Sequence, residues 1–323
     1  MNKFSDMSTF VSVVESGSFS EAARRLGTTK SIVSQRVQNL EKRLNCTLLK
    51  RGRPLQPTEP GLRFFERSRH ILQELKRIED DVHETGSSLS GTLRLAVPVT
   101  FITRHLAPLL ACFSAMYPAL RVDVEAEDRL SNLTDGNFDA AIRIGQLADS
   151  NLVARPITVN HHLMCASPAY LERRGVPTHP DDLAQHDGLI YLNREPNGMW
   201  SLPLDGEQKS FRIGMRMRTD SGYQLLASAI GGLGIAILPT FLASDALLAG
   251  DLVPVLSDYA PSGGQVSVVY HKSIRTPPKI HVLIDFLTES IGSPASWDIP
   301  LVQNGILALA DTESDRKNES RTP

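Results

Sequence analysis

Cysteine is scarce in this sequence: Cys46, Cys112 and Cys165 are the only three in 323 residues, and no CxxC pair occurs. That spacing excludes a disulfide framework and a zinc knuckle, and leaves ordinary reduced core thiols. Long hydrophobic runs are missing as well, since none approaches the roughly 20 residues needed to cross a bilayer. The opening MNKFSDMSTF lacks the basic-then-apolar order of a secretory signal, so a soluble chain of the cytoplasm is expected. GxSxG, HExxH and phosphate-loop motifs are also absent. The expectation is therefore no enzyme, no cofactor and no metal. The adjacent His161 and His162 would face opposite sides of a strand, which disfavours joint metal ligation and places them at the surface or a hinge. In AIGGLGIAILP a helix precedes the glycines and a strand comes after them, the reverse of the dinucleotide-binding order.

What is present is size and an uneven charge. At 323 residues, 41% of them hydrophobic, the chain is long enough for two or more folded units. The net charge of −2 conceals a basic head: residues 1–58 hold ten Lys/Arg against four Asp/Glu. A basic head on an acidic body implies a polyanionic partner for the head alone.

Within that head, Met7, Phe10, Val11 and Val14 share one helical face. Gly17 ends this helix, and Ser18 with Glu21 has the form of a capping box opening a second one. Ala22, Ala23 and Leu26 are its buried side; Gly27 and Thr28 make a tight turn. Thr29 then caps a third helix with Val33, Val37, Leu40 and Leu44 inward. Two short helices across a tight turn form a helix-turn-helix, and Thr29, Lys30, Ser31, Ser34, Gln35, Arg36 and Gln38 supply hydrogen-bonding groups suited to a major groove. The stretch LLKRGRPLQPTEPG reads as a hairpin wing with Lys50, Arg51 and Arg53 at its tip, placed to hold phosphates or enter a minor groove.

From Gly61 to Gly86 one long helix is expected, with Ile71, Leu75, Ile78 and Val82 as a narrow heptad stripe that wants a partner. Beyond Thr92, short apolar strands alternate with helices: LRLAV, LAPLLACFSAMY, LRVDVEA and DAAIRIG, then LMCAS, LIYL, FRIGMRM, GYQLLASAI and IAILP. The fold class is α/β: a winged helix-turn-helix (residues 1–59), a linker helix (60–90), and a two-lobed α/β body with a mostly parallel sheet (91–292). One lobe is expected from 91–160 plus 265–292, the other from 161–264, with a cleft between them. Residues 293–323 show no sustained period and read as a disordered tail.

Ligands in such sheets sit beyond strand carboxyl ends and near helix N-termini. This points to Thr100, Phe101 and Thr103 after the first strand, and to Thr219, Asp220 and Ser221 before the helix GYQLLASAI. Arg143 would pair with a carboxylate, so a small organic acid is the expected ligand. Tyr191 and Trp200 either line the second lobe or belong to its core.

The strings FVSVVESGSFSEAARRLGTTKSIVSQRVQNLEKRL, PTEPG, SPAYL and GGLGIAILP resemble the LysR-type transcriptional regulators over residues 3–290. Lys30, Ser31 and Ile32 stand where that family commonly has Gln, Pro and Ala. The resemblance implies a helix-turn-helix at 19–38, an effector-binding domain like type II periplasmic binding proteins, and pairing of two chains through the linker helix. It also implies promoter DNA, a small-molecule effector, further copies of the chain as a homodimer or homotetramer, and RNA polymerase as partners. The alternative from the residues alone is an effector-independent, weakly specific architectural DNA-binding protein.

Overall fold

The computed structural model describes residues 3–50, 52, 55–83, 89–127, 138–145, 152–195, 197–272 and 276–309. The chain forms two compact units, the first built mainly from residues 1–92 and the second from most of the remaining chain.

The first unit opens with α1 (Lys3–Ser16), α2 (Phe19–Arg25) and α3 (Lys30–Leu44). An antiparallel hairpin of β1 (Leu49–Lys50) and β2 (Gln56–Pro57) comes next, then α4 (Glu59–His83). Gly17 and Gly27 take positive φ at the two helix ends, where a side chain would be strained. Phe10, Val13, Ala22, Val33 and Leu40 are fully enclosed in one core. The inward face of α1 is rotated from the expected one: Met7 and Val14 are half-buried, while Asp6, Thr9 and Val13 turn in. The reason is polar, since Arg43 of α3 reaches the buried Asp6 carboxylate at 3.1 Å. Leu44 is exposed rather than buried, being the last residue before Asn45 leaves the helix in a left-handed conformation.

The second unit carries two five-stranded sheets. The first has the order β4-β3-β5-β14-β6, from β3 (Gly91–Val97), β4 (Leu120–Ala126), β5 (Ala140–Gly145), β6 (Leu152–Val159) and β14 (Gln265–His271). The second runs β11-β8-β12-β7-β13, from β7 (His162–Ala166), β8 (Asp187–Tyr191), β11 (Gly214–Thr219), β12 (Ile235–Pro239) and β13 (Val253–Pro254). A separate hairpin joins β9 (Met199–Leu204) to β10 (Glu207–Arg212). The sheets are mixed, not mostly parallel: β3 and β5 run parallel, but β14 is antiparallel to both β5 and β6. The cause is topological, because the chain leaves the first sheet after β6 and re-enters it as β14, reversing direction. The two crossings touch: the Asn160 amide N–H donates to the Gly264 carbonyl, and its side-chain Nδ2 donates to that of Gly263. A Cβ on Gly263 would collide with the Asn160 carbonyl, so glycine alone fits there.

Among the described residues seven further helices cover the sheets: α5 (Val99–Phe101), α6 (Ala107–Met116), α7 (Pro168–Arg174), α8 (Gly222–Ile230), α9 (Thr240–Ala249), α10 (Pro278–Ile291) and α11 (Ile299–Gln303). A π-helical segment, Ile102–Leu106, makes α5 and α6 continuous over Val99–Met116. By length and apolar composition this helix would suit a membrane span, although polar residues interrupt its apolar run. Here Phe101, Leu106, Leu110 and Phe113 seat it in the core. That core is continuous through both sheets, holding Leu95 and Val268 of the first with Cys165 and Leu238 of the second. A smaller core, with Trp200 wholly enclosed, lies between the second sheet and the β9–β10 hairpin.

The expected disorder after residue 292 is overturned for 293–309. Trp297, Leu301 and Leu307 are buried and α11 lies against α9. Composition without a sustained period concealed three apolar anchors that need no long helix to be seated. Residues 310–323 lie outside the described residues.

Candidate functional site

In the first unit, the Ser18 hydroxyl accepts the Glu21 N–H at 3.4 Å, while the Glu21 carboxylate pairs with Arg24 and Arg25. Arg24 foremost holds that carboxyl below its ordinary range. Thr29 caps α3 by accepting the Ile32 N–H, so this residue orients the helix before it contacts anything else. With Val33, Val37 and Leu40 anchored beneath, Thr29, Lys30, Ser31 and Gln35 stand exposed, and Ser34, Arg36 and Gln38 are half-buried. Ser31, Gln35 and Gln38 recur at the spacing of one helical face. Arg36 is tied back to α1 through the Thr9 hydroxyl at 3.4 Å, which gives it a structural contact the sequence did not announce.

The wing is fixed by a residue that no motif in the sequence marks. The Glu41 carboxylate on α3 accepts the amide N–H groups of Leu48 and Leu49 at 2.8 and 3.1 Å. Gly61 lets α4 close against the Leu48 carbonyl, where a Cβ would collide. Lys50 is exposed on β1, whereas Arg51 and Arg53 lie outside the described residues. A glutamate eight residues before a hairpin is a weak signal, because most helix carboxylates are merely solvated.

In the second unit the two candidate helix starts meet. Thr100 is buried, and its side chain lies about where a Cβ on Gly222 would reach, 3.0 Å away. The neighbouring Ser221 caps α8 by accepting the Gln224 N–H, and its own N–H donates to the Thr219 hydroxyl at 3.1 Å. Thr219 pairs in register with Tyr191, whose hydroxyl accepts from Asn193 at 3.2 Å. Asp220 is exposed. Thr103 is exposed and donates to the Val99 carbonyl. Arg143 stands half-buried on β5 opposite Ser267; burial lowers its pKa and the Glu127 carboxylate counters it.

One expectation is corrected here. Phe101 is completely buried against Phe241, His105 and Trp297 rather than facing a cleft, because its side chain falls on the inward face of the helix. His162, half-buried at the start of β7, adjoins the crossing, which is in keeping with a hinge; burial foremost, with Arg194 beside it at 2.9 Å, depresses its pKa to about 3. Arg194 also pairs with Glu195 at 3.2 Å, a half-buried cluster that no spacing in the sequence revealed. His161 holds the fully buried Asp298 at 3.0 Å, in keeping with a hinge position. Trp200 belongs to the core. Burial pushes the Cys165 thiol up to about 12, which leaves it inert. Two surface grooves, of about 410 and 350 Å³, lie around Phe211 and around Arg174; neither is lined by a predicted ligand residue.

A winged helix-turn-helix ahead of a two-sheet α/β sensor is the build of a ligand-responsive, DNA-binding transcriptional regulator. Residues 4–62 match the bacterial regulatory helix-turn-helix protein, lysR family, and residues 86–292 match the LysR substrate binding domain. The chain belongs to the LysR family of transcriptional regulators. It is 36% identical over 281 residues to an uncharacterized HTH-type transcriptional regulator of Haemophilus influenzae, covering 87% of this chain and 98% of that one. To the transcriptional activator TtdR of Escherichia coli it is 33% identical, covering 90% and 95%. The solved structure of CrgA, a LysR-type regulator from Neisseria meningitidis, superposes with a TM-score of 0.56 at 32% identity, over 90% of this chain and 99% of that one.

Proposed function

We propose that this regulator binds promoter DNA in the cytoplasm as a homodimer or homotetramer, and that a small organic acid bound between the two α/β lobes alters that binding. The observation that carries the DNA arm is α3, whose exposed Lys30, Ser31 and Gln35 stand on a rigid apolar base beside the anchored wing. Gln35 and its neighbours on α3 read base edges, while Lys50, Arg51 and Arg53 hold the backbone. The domain limits that go with this reading are 1–59, 60–90 and 91–292, with lobes 91–160 plus 265–292 and 161–264. Dimerisation runs through α4, supported by Ile71, which is 49% exposed, and by half-buried Leu75. Ile78 and Val82, whose side chains lie outside the described residues, are the rest of that stripe. The chain works as a switch without catalysis, and RNA polymerase is its partner at the promoter.

The effector arm rests on the meeting of Thr100 with the start of α8, on Tyr191 and Thr219 side by side, and on Arg143 as the cation for a carboxylate. Thr103, Asp220 and Ser221 border the same helix starts. Effector and DNA affinities are then linked reciprocally. DNase footprinting on the DNA flanking the protein's own gene, at two salt concentrations and with competitor DNA, tests the first arm. A protected two-fold site that survives competitor supports specific regulation; diffuse protection lost with salt supports an architectural role. Calorimetry tests the second: acids should bind wild type and lose affinity in Arg143→Ala, while equal binding of acids and neutral analogues to both proteins removes the charge-pairing idea.

A further inference from the structure

The family match to the sensor ends at residue 292, yet the described chain continues to residue 309 and is seated on both halves of the sensor. Its first anchor is Trp297, which is 6% exposed. The indole packs against Phe101 and His105 of the first-sheet helix and against Phe241 of α9, which succeeds β12 of the second sheet, with ring centroids at 5.8, 4.5 and 6.3 Å. The second anchor is Asp298, fully buried at the start of α11. A carboxylate at that position ordinarily caps its own helix. This one makes no cap bond and is given to His161, in the crossing between β6 and β7. Leu301 and Leu307 complete the seat.

The surface beneath already joins the two halves. His105 Nε2 lies 2.7 Å from the Phe241 carbonyl, and Arg104 pairs with Asp245 of α9. Both contacts come from the π-helical segment or its partner helix, so the extension covers a junction and does not merely lengthen one lobe. Among the described residues the buried Trp297 Nε1 and Asp298 Oδ1 have no hydrogen-bond partner, a cost that is tolerated only where the surrounding contacts hold the segment in place.

We infer that residues 293–309 form a strap across the two sensor lobes, with Trp297 as its wedge and the Asp298–His161 bond as its tie, and that the strap limits how far the lobes move relative to one another. The proposal rests on the sensor fold and is independent of which effector is bound. Any ligand-driven opening has to work against this segment, so the strap sets the range of the switch.

Spin labels at Arg121→Cys on β4 and Arg218→Cys on β11, one on each half, test this in full-length protein with Cys46 and Cys112 replaced by serine and with labelled chains diluted into unlabelled ones. A double-resonance distance measurement should give one narrow distribution with the intact strap. It should broaden in Trp297→Ala, in Asp298→Asn and in a chain ending at Gly292, and amide protection in β6, β7 and β14 should fall about tenfold or more. Trp200→Ala, an equally buried tryptophan in the smaller core, is the control and should leave the interlobe distance unchanged. If the truncated chain fails to fold, the two full-length substitutions decide. An unchanged distribution in both overturns the strap, and so does equal broadening in Trp200→Ala, which would mark general loosening.

Discussion

The head and the sensor bury their residues by different means. In the head, three helices within 42 residues, Lys3 to Leu44, enclose a core whose members are neighbours in sequence, and the candidate contact residues succeed one another along a single helix. In the sensor the core joins strands separated by more than 100 residues, such as β5 with β14, and candidate ligand residues arrive from α5 and its π-helical continuation, from β5, β8 and β11, and from the turn before α8. Changes on that one exposed helix face therefore leave the head's core alone. In the sensor, almost every such change also touches packing, because its polar groups are tied to distant partners such as Asn160 with Gly263.

The sharpest way to break this contrast is Phe10→Ala. Removing that fully buried ring should destabilise the head by about 3–5 kcal/mol and abolish DNA binding. The sensor's calorimetric unfolding transition should stay in place; if it falls in step, the two cores are not separate.

The next effect belongs to the sensor and is a matter of pH. His162 titrates near 3 when folded and near 6.5 when unfolded, so the unfolded chain binds the extra proton between those values. Stability from the neutral ring is fully present above about pH 6.5 and is lost as pH falls toward 3, by an amount on the order of a few kcal/mol. Urea unfolding of wild type and His162→Asn between pH 4 and 7 should show the wild type losing more stability on the acid side. Parallel curves would show that the ring is protonated at no extra cost in the folded chain.

Smaller still, Gln35→Ala should weaken binding to the specific site by about 1–3 kcal/mol while leaving non-specific binding and thermal stability alone. Competition footprinting reads the first and a melting curve the second. Lys50→Ala should act uniformly across sequences and reduce the salt dependence by about one counterion, visible as a shallower slope of log affinity against log salt. The smallest expected change is Thr29→Ala, about 1 kcal/mol from loss of the α3 cap, with DNA affinity falling in proportion to helix fraying. Affinity loss without any change in stability would instead assign Thr29 a direct contact.

Head and sensor also differ in how local their information is. The turn at Gly27, the cap at Thr29, the core positions Val33, Val37 and Leu40, and the short wing strands were all legible, because caps, turns and helical periodicity act over a few residues. The alternation of strands and helices gave the α/β class for the same reason. What it did not give was strand direction: a mostly parallel sheet was expected, and the return of β14 made both neighbouring pairs antiparallel. Leu44 was misread by periodicity and Phe101 by its place just beyond a strand end, one placed outward by the helix end and the other inward by a helix facing two sheets.

By itself, then, the amino-acid sequence determined the helix-turn-helix, its exposed polar face, the linker helix and the two-part organisation, since each is written in spacings shorter than a helix. Only the tertiary structure decided that Glu41 ties the wing, that half-buried His162 lies against Arg194, and that Trp297 and Asp298 belong to the sensor instead of a loose tail. Those contacts span from seven to more than 130 residues, and whether a carboxylate or an indole is solvated or buried depends on a partner that no local pattern names.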